Sequence, residues 1–113
     1  MGSLLKVCLL TAILASNVAF AENVWHTSTL AKVYPFGDGR LVITFNKDSE
    51  SCLSTATPQK YHYAKVGENG VTQEGLDMML ATALAAGMSG KSVSINFDNS
   101  TEKCYINRLQ IKF

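Results

Sequence analysis

The chain has 113 residues, of which 47% are hydrophobic, and it carries 10 basic and 9 acidic side chains and 3 cysteines. That length holds one modest core, which excludes a multidomain enzyme architecture. A nearly balanced charge lacks the electrostatic term that dominates nucleic-acid affinity, so no nucleic-acid partner is expected.

Met1–Ala21 has the parts of a secretion signal. Lys6 places a positive charge near the start, Val7 to Val18 is mostly apolar, and Ala19-Phe20-Ala21 is a small-x-small cleavage pattern. Thr11, Ser16 and Asn17 interrupt the apolar stretch, which is shorter than the ~20 residues of a spanning helix. The expected mature chain starts at Glu22 and is a single domain over 22–113, not membrane-spanning, and periplasmic or secreted. Removing 21 residues leaves 92, with nine basic and nine acidic groups. Cys8 leaves with the signal, so Cys52 and Cys104 are the one intramolecular pair available, and a disulfide is expected in an exported chain. The two cysteines enclose 51 residues.

Val24 to Tyr34 reads as a first strand, alternating and rich in β-branched and aromatic residues. Pro35-Phe36-Gly37-Asp38-Gly39 is a turn signal, and Arg40 to Asn46 a second strand with Leu41, Ile43 and Phe45 on one face. Asn46 to Lys60 is polar and loop-like, and Tyr61 to Val66 reads as a third strand. Thr72 to Ala86 is the one helix. Thr72 is its expected N-cap, Gly87 its expected stop, and Leu76, Met79, Leu80, Ala83 and Leu84 its expected apolar stripe. Ser92 to Phe97 and Tyr105 to Phe113 complete five strands. In the last, Tyr105, Asn107, Leu109, Ile111 and Phe113 are expected on one face and Ile106 on the other.

The order β-β-β-α-β-β points to a mainly β fold with one helix. The expected form is an OB-fold-like five-stranded barrel, and its alternative is an open antiparallel sheet with one packed helix. Catalysis is poorly supported. The chain has no G-x-S-x-G, H-E-x-x-H or C-x-x-C motif, its acids are scattered, and Asp48 and Glu50 read as a solvated loop pair. His26 and His62 fall within strands, as ordinary solvated or hydrogen-bonded side chains. No catalytic residue, metal or cofactor is expected. Binding remains. Tyr61, Tyr63, Trp25, Tyr34 and Tyr105 are amphipathic rings suited to stacking on sugar faces, although Trp25 and the tyrosines also suit a core.

Several stretches together resemble a known group. These are Val24-Trp25, Gly37-Asp38-Gly39-Arg40, the run Leu80 to Gly87, Gly90-Lys91-Ser92-Val93-Ser94-Ile95, and Ile106 to Ile111 after Cys104. The chain is similar to small secreted proteins of Gram-negative bacteria that resemble the B subunits of AB5 toxins of the subtilase-cytotoxin type. The resemblance implies an OB-fold, a homo-oligomeric ring and a glycan ligand. It carries no sugar-binding residue over by position and implies no toxic A subunit. The function expected is a non-catalytic binding module with a glycan ligand. The alternative is a protein-binding or inhibitory structural protein of the cell envelope, acting through a strand edge or a ring face.

Overall fold

The computed structural model describes residues 22–113. The expected signal segment Met1–Ala21, with Cys8, lies outside the described residues. Five strands and a helix follow one another as β1 (Asn23–Pro35), β2 (Leu41–Phe45), β3 (His62–Ala64), α1 (Gln73–Ser89), β4 (Ser92–Asp98) and β5 (Ile106–Ile111). All pairings are antiparallel, and the sheet runs β3-β2-β1-β4-β5.

The sheet is open, so the barrel expectation is corrected and its alternative holds. A closed barrel needs a hydrogen-bonded ladder around its whole girth. Here β3 is only three residues long, and its link to the β5 side is a backbone bond from Tyr63 N–H to the Lys103 carbonyl (3.1 Å). Next to that bond, Cys52 and Cys104 are joined in the expected disulfide, with both cysteines buried. The bridge ties the segment after β2 to the segment before β5. The 46–60 segment is pinned as well as tied. Asp48 Oδ1 accepts the Lys60 N–H (3.0 Å), the Ser49 carbonyl accepts from Lys60 Nζ (2.8 Å), and Ser54 Oγ accepts the Tyr61 N–H (3.0 Å).

Two bulges set which side chains face inward. In β1, Leu30 pairs with Phe45 and Lys32 with Thr44, so Ala31 is an extra residue. Side chains alternate along a strand, and one extra residue reverses the alternation. Val24 and Leu30 point to the core before the bulge and Val33 after it. In β5, Asn107 is the extra residue, because Ile106 pairs with Phe97 and Arg108 with Asn96. This corrects the expected faces: Ile106 is buried with Leu109 and Ile111 packed on the same core.

Helix α1 covers the inner face. Thr72 caps it, its Oγ1 accepting the Gly75 N–H (3.1 Å). Glu74 lies in the first turn, where the helix dipole favours an acid. The helix runs through Gly87 and stops at Gly90, whose φ of 69° only glycine adopts without cost. Its buried residues are Leu76, Met79, Ala83 and Ala86. Leu84, expected in the stripe, is 45% exposed. The stripe read from the sequence is wider than the contact the sheet offers. The core beneath is Leu41, Ile43 and Phe45 of β2, Val93, Ile95 and Phe97 of β4, and Ile106 of β5. No helix among the described residues is long and apolar enough to cross a membrane.

Candidate functional site: an aromatic wall on the outer face

β2 is buried on both faces, which a half-exposed strand would not be. Its inner residues meet the helix side of the core. Its outer residue Val42 pairs with Tyr34 of β1 on one side and Tyr63 of β3 on the other. Directly opposed residues of antiparallel strands share a face, so the two tyrosines flank Val42 on the outside. Tyr61 follows on the same face, its ring 6.2 Å from that of Tyr34 and 6.1 Å from that of Tyr63. Phe36, just past β1, stacks on Tyr34 at 4.7 Å, and Tyr105 stands 6.4 Å from Tyr63. Burial raises the Tyr105 hydroxyl above its ordinary pKa, with the Glu68 charge adding to the shift.

Two cations edge this wall. The Arg40 guanidinium lies 4.6 Å from the Phe36 ring centre and 5.6 Å from that of Tyr63, and Lys103 Nζ lies 4.9 Å from Tyr63. Both distances to Tyr63 are within the reach of a cation–π attraction. The β1–β2 turn sets Arg40. Phe36 N–H bonds to the Arg40 carbonyl (2.7 Å), and Gly39 takes a φ of 91°. Asp38 then grips Arg40 through Nε at 2.8 Å. The Arg40 backbone N–H and, after it, its side chain hold the Asp38 carboxyl below the usual carboxylate range.

Beside the rings is a cleft of about 250 Å3. Tyr61 and Tyr63 form its apolar side, and Ser54, Thr55, Glu102 and Lys103 supply hydroxyls and both charges. The disulfide stands behind both walls, since Ser54 closely follows Cys52 and Lys103 immediately precedes Cys104.

Of the rings singled out from the sequence, the structure brings Tyr34, Tyr61, Tyr63 and Tyr105 together. Trp25 is elsewhere. It sits in the other half of β1, opposite Asn96 of β4, and is 54% exposed, so it belongs neither to the core nor to the wall. Phe36, Arg40 and Lys103 are the members that strand patterns alone do not find. The hairpin holds the one usable signal: Tyr34 and Phe36 straddle Pro35 and share a face, and the turn returns Arg40 to Phe36.

The histidines meet on the opposite, inner side. The His62 ring packs edge-on against Phe45 (5.2 Å) and Phe97 (5.0 Å) and lies parallel to that of His26 at 6.3 Å. His26 Nε2 is 2.7 Å from the Lys47 carbonyl. His62 is fully buried, which corrects the expectation of a solvated side chain, and neither ring nitrogen makes a hydrogen bond of full geometry, the backbone of Ile43 being its polar neighbour. Burial, then the neighbouring His26, lowers its pKa to about 4. No group of three or more potential metal ligands occurs among the described residues. No protein-family model and no curated protein matches the chain.

Proposed function

We propose that the mature chain is an exported, non-catalytic binding module that takes a glycan on the aromatic wall. The observation that carries this reading is the joining of Tyr34, Tyr61 and Tyr63 beside a polar cleft of about 250 Å3. Aromatic faces match the apolar C–H faces of sugar rings, and hydroxyls and charges nearby match their polar rims. The size of the cleft suits one or two sugar units rather than a long chain. The resemblance to toxin B subunits points the same way, and so does a mature charge that disfavours nucleic acid. Export follows from the signal segment. N-terminal sequencing of the protein recovered outside the cytoplasm is expected to begin at Glu22.

The test is a glycan array probed with residues 22–113. Binding to at least one glycan is expected, weakened about tenfold (~1.4 kcal/mol) by Tyr63→Ala or Tyr61→Ala. Tyr63→Phe keeps the ring and should retain most of the affinity. Trp25→Ala should leave it unchanged. An array with no bound glycan would overturn the reading, as would undiminished binding by Tyr63→Ala.

A further inference from the structure

Away from the wall, β5 is an edge of the sheet, so one side of its backbone from Arg108 onward has no neighbouring strand. Along the inner side of that edge runs a groove against α1. Its first part, about 260 Å3, is lined by Val71, Met78, Met79, Thr82 and Leu109, together with Arg108. A second hollow continues it from Thr82 and Ala85 to Ile111 and Phe113. Together the two hollows border the strand at Asn107–Leu109 and again at Ile111. The helix wall is uncharged over this stretch: Met78, Ala81, Thr82 and Ala85 face it, and Met78 is 70% exposed. Arg108 is the one charged residue among those lining it.

The outer side of the same edge is basic. Arg108 and Lys112 alternate there with Gln110, all three exposed, while Leu109 and Ile111 turn inward. Among the described residues the ion pair is Arg40–Asp38, so neither Arg108 nor Lys112 is neutralised by a carboxylate. A strand laid against β5 would alternate in step with it. Every second side chain would enter the groove, and those between would stand beside Arg108 and Lys112.

We infer that the β5 edge is a docking site for an extended peptide that alternates apolar with acidic residues, bound by strand addition. A second copy of β5 is a poor occupant. Its residues 106–113 include no acid to meet either cation, and antiparallel pairing about Gln110 would set Arg108 of one copy against Lys112 of the other, where like charges repel. An acidic-apolar strand meets all three features at once: open backbone groups, apolar groove and unpaired cations. The site gives the expected protein-binding role a location, and it stands or falls independently of sugar binding on the wall.

The probe is a six-residue peptide alternating glutamate with valine, titrated into isotopically labelled residues 22–113 and followed by amide NMR shifts. Shifts are expected at Arg108–Lys112 and at Met78–Thr82, with Tyr61 and Tyr63 unmoved. Affinity should fall at least tenfold for the peptide with lysine in place of glutamate, and similarly for Arg108→Glu with Lys112→Glu. A peptide N-methylated at alternate backbone nitrogens leaves the protein untouched and removes the donors a strand must present, so it should not bind when the methyls face β5. The inference fails if the glutamate and lysine peptides bind alike, if N-methylation of both alternating sets of nitrogens is tolerated, if the shifts map to the wall, or if no shift appears at millimolar peptide.

Discussion

At the scale of single residues, His62 is the most consequential side chain outside the wall. A buried imidazole whose nitrogens lack well-formed hydrogen bonds carries a desolvation cost. Its surroundings keep it neutral: burial against apolar Phe45 and Phe97 comes first, and His26 and Lys60 add to it, with the Ile43 backbone and Asp48 acting against them. The folded pKa of about 4 lies below the ordinary 6.5. The unfolded chain therefore takes up the proton first as pH falls. Stability from this group is complete above about pH 6.5 and is lost progressively towards pH 4, by about 3 kcal/mol in total. Urea midpoints measured between pH 7 and 4 should fall accordingly. His62→Phe should flatten that limb, and a limb of unchanged slope in this variant would assign the acid sensitivity to other groups.

At the scale of elements, helix α1 shows what was legible and what was not. Its cap Thr72, its acidic first turn and its core residues Leu76, Met79 and Ala83 could all be read from spacing, because a helix needs its apolar residues every three to four positions. Its end and its width could not. Gly87 is a sound stop signal in isolation, but a glycine ends a helix only where the chain must turn left-handed, and here Gly90 does so. The exposure of Leu84 depends on how far the sheet extends beneath the helix, which no local pattern records. Leu76→Ala is therefore expected to cost about 2–5 kcal/mol, and Leu84→Ala under about 0.5 kcal/mol. Thermal unfolding of the two variants checks this, and equal losses would contradict the burial pattern. The strands follow the same division. Their order was legible, as was the Cys52–Cys104 pairing. The two bulges were not, since an extra residue in a ladder shows only against its partner strand. The tyrosines of the wall could be nominated from the sequence, but their assembly depends on cross-strand register, and so Trp25 could not be told apart from them.

At the scale of the whole molecule, β1 joins two half-sheets, β3-β2 on one side and β4-β5 on the other, and the disulfide ties their far ends together. A bridge closing a loop of this size contributes about 4 kcal/mol by the chain-entropy account. Its local effect should be uneven. Hydrogen exchange in the Cys52→Ser, Cys104→Ser variant is expected to quicken most at the Tyr63 amide, which bonds to the Lys103 carbonyl across the gap, and least in the β1–β4 ladder. Uniform acceleration would instead mean that the bridge acts only on global stability. The extra residue in β1 has a different kind of consequence. Deleting Ala31 would make Leu30–Phe45 and Lys32–Thr44 consecutive pairs of a regular ladder, with Val33 still inward and Tyr34 still outward. What the extra residue supplies is a bend and added twist in the strand that joins the two half-sheets. A lineage could lose that bend in a single codon and keep every ring of the wall on its present face.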